Sequence, residues 1–279
     1  MQGFIPMKAR HNEVPSYTTY KCRCNTAISS GELVLVVDVA AVATVRALGA
    51  AYATVNPGDV IPALALALTG IPANFRIWGV AAESRAASLT ESDIRVYDHP
   101  DIEFEAEWKL GATYATAVGG WGARRLLTAT GGTGSATWTL IDTQFGADLP
   151  DDLLIGSSVY MQSVATPGIG ANAENASSTH RHVISDYVGA TGAMSIDALG
   201  TGGTYASGNT FYFQPGPGFI GHPFQVGDTG MYLDLTDETL SGTLPAAFVV
   251  TGLAPVDPFT GQCALIVRLN RWWNQALTA

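Results

Sequence analysis

The chain has few charged residues for its 279-residue length. Asp, Glu, Lys and Arg make up 14% of it, against about 25% in typical soluble domains. A surface so poor in charge is typical of a protein that partners cover, as in a permanent oligomer, or of a large glycine-rich monomer. The net charge of −10 disfavours nucleic acid as a ligand, because an acidic protein repels the phosphate backbone.

Cysteine and long apolar runs are also scarce. Cys22, Cys24 and Cys263 are too few for a disulfide framework or for the four ligands of a structural zinc site. Cys22 and Cys24 share one face of a predicted strand about 6.8 Å apart, near the limit for a disulfide bond, so buried free thiols are expected. No run is long enough to span a membrane, and no signal peptide is recognisable. We therefore expect a protein that folds in the cytoplasm and has no membrane partner.

Motifs of known enzyme chemistry are missing from the sequence. It contains no nucleophile elbow, no P-loop and no dinucleotide fingerprint. The glycines at 131–134 and 200–203 are not followed by a helix that could receive phosphate. His180 and His182 share a strand face but lack a third metal ligand nearby. We therefore expect no catalytic residues, no cofactor and no metal.

Strict alternation of polar and apolar residues runs from residue 101 to residue 108. A period of two is typical of a half-buried β-strand, here with an acidic outer face. That face could be a solvated surface, a contact with a basic partner or, with help from loops, a Ca²⁺ site. Its four carboxylates belong to Asp101, Glu103, Glu105 and Glu107.

Short strands separated by turns are predicted along the rest of the chain. Strands near 77–80 and 94–96, with a turn at 98–101, predict an antiparallel meander that ends in the acidic strand. Glycines at 189–192 predict a hairpin turn. Residues 39–55 are ambiguous between helix and strand, and convincing helices are absent. The predicted class is all-β, with an antiparallel barrel-like or sandwich-like core.

Composition divides the chain into three parts. Residues 1–20 hold prolines and scattered charge without periodicity, which predicts an extended N-terminal arm. Residues 21–123 and 214–279 have a similar pattern of short strands and turns and predict a single β core. Residues 124–213 predict an inserted small β module, joined to that core through flexible Gly/Pro linkers.

The N-terminal segment is basic, whereas the body of the chain is acidic. We expect its cations to contact something acidic, such as a neighbouring copy or another partner. The arm would then lie on that partner rather than on its own core. The candidate cations are Lys8, Arg10, Lys21 and Arg23.

Three stretches of the sequence are familiar as a set. The first is Gly3-Phe-Ile-Pro-Met-Lys; the second comprises Ile77-Trp-Gly-Val-Ala-Ala-Glu-Ser, Val96-Tyr-Asp-His-Pro-Asp and Phe104-Glu-Ala-Glu; the third comprises Val226-Gly-Asp-Thr-Gly-Met-Tyr-Leu-Asp-Leu, Phe248-Val-Val-Thr-Gly-Leu and Leu265-Ile-Val-Arg-Leu-Asn-Arg. Together they resemble the cement, or decoration, proteins of tailed-bacteriophage capsids. The resemblance covers about half of the chain, within 1–123 and 214–279. Residues 124–213 resemble small β modules of phage structural proteins.

The resemblance implies a protein without enzymatic activity, made in the host bacterial cytoplasm and located on the outer surface of the virion. Its β core would bind the major capsid protein over subunit junctions, usually as a homotrimer. The competing hypothesis is a phage tail or host-surface adhesin, in which the inserted module and Trp272-Trp273 grip sugar. A glycan hydrolase built on separated carboxylates is a more distant alternative.

Overall fold

The structure, a computed structural model, describes residues 3–9, 15–63, 76–109, 127–128, 138–141, 151–162, 181–188, 193–196, 210–226, 230–234, 239–240, 244–245, 247–254 and 264–270. Short strands dominate these ranges, which confirms the predicted all-β class. In chain order they are β1 (Ile5–Ala9), β2 (Thr18–Cys22), β3 (Leu33–Val36), β4 (Val60–Pro62), β5 (Arg76–Ala81), β6 (Ser92–Tyr97), β7 (Ile102–Ala106), β8 (Trp108–Lys109), β9 (Leu127–Thr128), β10 (Trp138–Ile141), β11 (Ser158–Gln162), β12 (Arg181–Val188), β13 (Ala193–Ile196), β14 (Thr210–Gln214), β15 (Pro223–Val226), β16 (Leu233–Asp234), β17 (Thr239–Leu240), β18 (Leu244–Pro245), β19 (Phe248–Leu253) and β20 (Leu265–Leu269).

The largest sheet has seven strands in the order β1-β7-β20-β19-β15-β16-β8. Its neighbours run antiparallel except β16 and β8, which run parallel. On β7, Ile102, Phe104 and Ala106 are buried while Glu103 and Glu105 are half-buried. The alternation predicted from the sequence is therefore confirmed for this strand, whose apolar face points into the core.

A second sheet has five strands in the order β2-β6-β5-β3-β4. β3 is flanked on both sides, by β5 and β4, and its residues Leu33, Val34 and Leu35 are buried. β5 and β6 approach closely at Gly79, where a Cβ atom would lie 2.1 Å from the carbonyl oxygen of Tyr97. Lys21 and Asp59 form one parallel β-bridge between the ends of β2 and β4. Among the described residues this single bridge does not extend into a ladder, so the five strands form an open sheet.

The two sheets pack on each other in a sandwich-like arrangement around a shared core. Tyr97 on β6 meets Phe104 on β7 edge to face, with ring centroids 6.3 Å apart. Phe104 in turn meets the edge of Phe248, and Phe248 stacks on Phe4 at 4.3 Å. Burial of these rings is a large apolar contribution to stability, and their offset and edge contacts add to it.

A third sheet has six strands in the order β10-β13-β12-β11-β14-β9. All six lie between residues 127 and 214, and the described strands of this sheet pair only with one another. Val188 on β12 pairs antiparallel with Ala193 on β13, as expected for strands on either side of the hairpin turn predicted at 189–192, and the turn itself lies outside the described residues. The first and last strands, β9 and β14, are hydrogen-bonded neighbours. The module boundaries at 124 and 213 stay a prediction.

The predicted meander is wrong at its last step. β5 and β6 pair antiparallel, but β7 lies between β1 and β20 in the other sheet. The turn at 98–101 therefore carries the chain across the sandwich instead of folding it into a hairpin. A period of two shows which face of a strand is buried, and it does not identify the neighbouring strand.

The prediction that the N-terminal arm avoids its own core is wrong for residues 3–9. Phe4 is 1% exposed and stacks on Phe248, and its N–H donates to the carbonyl of Gly31 at 2.9 Å. β1 then pairs with β7. The segment packs on its own core because that contact buries Phe4 and completes one edge of the sheet.

The ambiguous segment 39–55 is helical where it is regular. A 3₁₀ turn at Val39–Ala41 leads into the α-helix α1 (Val42–Ala47), and a second 3₁₀ turn follows at Ala50–Tyr52. The Asp38 carboxylate accepts the N–H of Val39 and caps the first turn. The expectation that helices are absent therefore fails for these six residues of α1, where the helix preference of alanine outweighs the β-branched residues.

The linker predicted after the inserted module is not a flexible chain. Pro215 and Gly216 are buried, and the Gly216 N–H donates to the Ser157 hydroxyl at 2.8 Å. A Cβ atom on Gly216 would lie 2.3 Å from the backbone nitrogen of Ser157, and one on Gly218 would lie 2.4 Å from the carbonyl oxygen of Leu153. These glycines allow two backbone segments to pack closely, which rules out the flexible exit.

Candidate functional site at the seam of the five-stranded sheet

The two edges of the five-stranded sheet meet at one end, and the charged side chains there form the candidate site. We call this place the seam: residues 21–24 at the end of β2, residues 56–59 before β4, and residues 91–93 at the start of β6. The bridge between Lys21 and Asp59 lies at its centre.

Asp59 is the buried charge of the seam. Its side chain is 1% exposed, and its two oxygens lie 2.7 and 2.8 Å from Nη1 of Arg23. The backbone N–H of Asn56 donates to the same carboxylate at 2.8 Å. A buried carboxylate is tolerated when a cation and N–H groups replace the lost water, and Asp59 has both.

The ion pairs continue outward from Arg23 along the protein surface. Arg23 also pairs with Glu91, Glu91 lies 3.2 Å from Nζ of Lys21, and Lys21 lies 2.6 Å from Asp93. Hydrogen bonds from Lys21 and Arg23 lower the pKa of Glu91. The bond to Asp93 raises the pKa of Lys21, and the bond to Asp59 raises that of Arg23.

Two of the four predicted partner-contact cations therefore lie in ion pairs within the chain. Lys21 and Arg23 join β2 to the segments around residues 59 and 91. Lys8 lies on β1 in the other sheet, and Arg10 lies outside the described residues. The structure thus does not bring the four together, and a partner would have to compete with carboxylates of the same chain for Lys21 and Arg23.

Two thiols lie on the inner side of the seam. Cys22 and Cys24 are both fully buried, and their Sγ atoms are 3.5 Å apart. The hydrogen bond between the two Sγ atoms lowers the pKa of Cys24 to about 7 and raises the pKa of Cys22. Cys24 Sγ also lies 3.6 Å from the carbonyl oxygen of Thr26. The expected buried free thiols are confirmed for this pair, while Cys263 lies outside the described residues.

Arg85 holds the backbone around the thiols. Arg85 is buried, and its guanidinium donates to one hydroxyl and four carbonyl oxygens in the segments 22–24 and 88–92. The planar arginine guanidinium has five N–H groups and can donate to all these acceptors, whereas the ammonium of a lysine has only three. The acceptors are the carbonyls of Cys24 (3.0 Å), Cys22 (3.1 Å), Ser88 (2.8 Å) and Thr90 (3.3 Å) and the hydroxyl of Ser92 (2.5 Å).

Sequence reasoning missed both Asp59 and Arg85. Asp59 closes a turn after a proline and a glycine, and Arg85 stands in a polar loop, so neither interrupts an apolar pattern. The local signals for this site were the spacing of Cys22 and Cys24 and the cations Lys21 and Arg23.

The predicted row of four carboxylates is shorter than expected. Glu103 and Glu105 lie on the outer face of β7, with Glu103 opposite Arg268 on β20. Asp101 lies in the turn before β7. Glu107 is only 5% exposed and lies between the end of β7 at Ala106 and the start of β8 at Trp108. A solvated face of four carboxylates is therefore not formed.

Other predicted site features lie mostly outside the described residues, as His180 and Trp272-Trp273 do, while His182 lies on β12. Within the ranges that the structure describes, no three His, Cys, Asp or Glu side chains are grouped as a metal ion would need. No helix in those ranges has the length and hydropathy to cross a membrane.

The described part of the chain is thus an all-β protein with a two-sheet core and a separate six-stranded sheet. No protein-family model matches it, and neither does any curated protein or solved structure.

Proposed function

We propose that this protein is a structural cement protein of a tailed-phage capsid. It would bind the outer surface of the shell, bridge neighbouring major capsid protein subunits and have no enzymatic activity. The observation that carries this proposal is a charge-poor all-β chain whose fold leaves large apolar side chains exposed. Those side chains are Tyr17, Val39, Leu48, Leu89, Ile155, Val183, Val188 and Ile220.

The helical segment after β3 offers one apolar surface. Val39 is 72% exposed and Leu48 is 42% exposed. The nearby cation, Arg46, donates to the carbonyl of Val55 and to the Asn56 side chain, both at 2.9 Å. The Arg46 guanidinium therefore bonds to residues 55 and 56 of the same chain. Val39 and Leu48 lie at the two ends of α1, where their exposed side chains would supply apolar contact area to a partner.

The six-stranded sheet offers a second apolar surface. Val183 and Val188 project from β12 into solvent, while Ile184 and Tyr187 of the same strand are buried. A protein that bridges two subunits needs contacts on more than one element, and these valines lie in a different sheet from Val39 and Leu48. The two surfaces therefore support a bridging role.

The energy required from each bridge is small. Many copies act in parallel on a shell, so a few kcal/mol per contact, which an interface of standard size readily supplies, would stabilise it. The low charge supports self-association as well, and a homotrimer is the state we propose. The N-terminal segment no longer supports that trimer, because residues 3–9 pack on their own core.

The direct test mixes purified protein with expanded capsids that lack it. We expect co-sedimentation at saturating stoichiometry and release of DNA at a higher temperature from decorated capsids than from bare ones. Val39→Ser combined with Leu48→Ser should weaken capsid binding about tenfold, since two apolar contacts are lost. Ala40→Ser, in the same turn, is the matched control and should bind normally.

Two results would overturn the proposal. One is the absence of capsid binding by the folded protein. The other is saturable binding to host cells or surface glycans in place of capsids, which would identify the adhesin of the competing hypothesis.

A further inference from the structure

The sulfur atoms of Cys22 and Cys24 are closer together than expected for two residues on one face of a regular strand. Two residues apart in an extended strand, their Cα atoms would be about 6.8 Å apart, at the upper limit for a disulfide. β2 ends at Cys22, however, and the chain leaves the strand at Arg23. The Sγ atoms are consequently 3.5 Å apart, so a shift of roughly 1.5 Å would bring them to bonding distance.

The surroundings also favour reaction at one of the two sulfurs. The hydrogen bond between the two sulfurs lowers the pKa of Cys24 to about 7, a value that already includes the effect of the nearby Arg85 charge. The thiolate is the reactive form of cysteine. We assign Cys24 as the nucleophile, with Cys22 as the second thiol at an Sγ–Sγ distance of 3.5 Å.

Access to the pair is controlled by the seam. Both thiols are 0% exposed. Arg23, the residue between them, is held by Asp59, and both cysteine carbonyls are held by Arg85. An oxidant in water can reach Cys24 only when these contacts open, as in a local unfolding step.

We propose that Cys22 and Cys24 form a redox modification site, at which a peroxide produces an intramolecular disulfide at a rate set by opening of the seam. The Cys24 thiolate attacks one oxygen of the peroxide, and with one proton the other oxygen leaves as water. The product is a sulfenic acid on Cys24. The Cys22 sulfur attacks that sulfenic sulfur, the S–S bond forms, and its oxygen leaves as a second water. Two thiols and one hydrogen peroxide give one disulfide and two waters.

The chemistry is tested in the full-length Cys263→Ser protein, which retains only this pair. Hydrogen peroxide should give a monomer whose mass is lower by two hydrogens, reversible by dithiothreitol. Adding Cys22→Ser should stop the reaction at a sulfenic acid on Cys24, which dimedone traps. Adding Cys24→Ser should leave Cys22 slow to react. Disulfide-linked dimers, or thiols that stay reduced in the folded protein while the urea-unfolded chain is oxidised, would overturn the proposal.

The gating is tested by loosening the seam. Asp59→Asn removes the charge that holds Arg23 and should speed oxidation roughly tenfold. Glu83→Gln is the matched control, because it removes an exposed ion pair with Arg95 outside the seam. Arg23→Gln serves in place of Asp59→Asn if that variant does not fold, which circular dichroism decides. Equal oxidation rates for the seam variant and the control would show that the seam does not govern access.

Discussion

In the seven-stranded sheet, Phe4, Phe104 and Phe248 form a continuous group of rings, whereas the five-stranded sheet is held at its edge by ion pairs and by Arg85. The aromatic group depends on volume and shape, which salt and pH barely alter. The seam depends on charge and on directional hydrogen bonds, which solvent conditions do alter. One core therefore contains a part that responds to its surroundings and a part that does not.

The largest effect should follow loss of a ring from the aromatic group. Phe248→Ala should lower the free energy of unfolding by about 3–5 kcal/mol, because it leaves a cavity beside Phe4 and Phe104. The loss should be the same at low and high salt. Val249→Ala, on the opposite face of β19, should lower it by less than about 1 kcal/mol. Urea denaturation measures both, and similar losses for the two variants would contradict the assignment of the core.

Loss of Arg85 should come next. Arg85→Met should lower the free energy of unfolding by about 2–4 kcal/mol, because buried carbonyl oxygens lose their donor. Arg85→Lys should recover little of this, since one ammonium cannot reach both loops. Arg95→Met removes an arginine that is exposed on β6 and is the control, with a smaller loss. A full rescue by lysine would mean that only the charge matters.

A smaller loss should follow at the seam itself. Asp59→Asn should lower the free energy of unfolding by about 1–3 kcal/mol, as expected for a hydrogen bond to a charged group. Part of this difference should disappear at high salt, because the outer ion pairs of the seam are exposed to solvent. Thermal denaturation at two salt concentrations tests this. A loss of stability that does not change with salt would show that the seam, like the aromatic group, is insensitive to salt.

The smallest effects should appear in the pH dependence of stability. Arg95 lowers the pKa of Glu83 below its ordinary 4.5, so its stabilisation is present above that pH and is lost as the pH falls through the folded-state pKa. Burial raises the pKa of Glu32 above 4.5, so its charge destabilises the fold as the pH rises past 4.5. Glu32→Gln should therefore stabilise the protein at pH 7 but not at pH 4, and Glu83→Gln should destabilise it at pH 7. Parallel pH profiles for the two variants would contradict these assignments.

Patterns confined to one strand or one turn were predictable from the sequence. β7 follows the alternation of residues 102–106, and β12 and β13 pair on either side of the glycines at 189–192. Such signals are local, because they reflect which face is buried or which turn the backbone can adopt.

Contacts between distant segments were not predictable. The pairing of β7 with β1 and β20 depends on the whole sandwich, and so does the packing of Phe4 on Phe248. Arg85 contacts carbonyls more than sixty positions earlier in the chain. The residues next to Arg85 in the sequence do not indicate this contact, because a polar residue in a loop is usually exposed to water.

The adjacency of β9 and β14 has a consequence for how such a chain changes over generations. Thr128 and Thr210 face each other across one strand pair, with Cα atoms roughly 5 Å apart. Everything between them leaves and returns through a gap that one short turn can span, and the entropy of closing a loop depends only weakly on its length. A genome could therefore add residues between β9 and β14 while these two strands keep their positions, whereas deletions are limited by Ser157 and Leu153, which pack on Gly216 and Gly218. Variation in size should accordingly accumulate here, and the aromatic core should keep its dimensions.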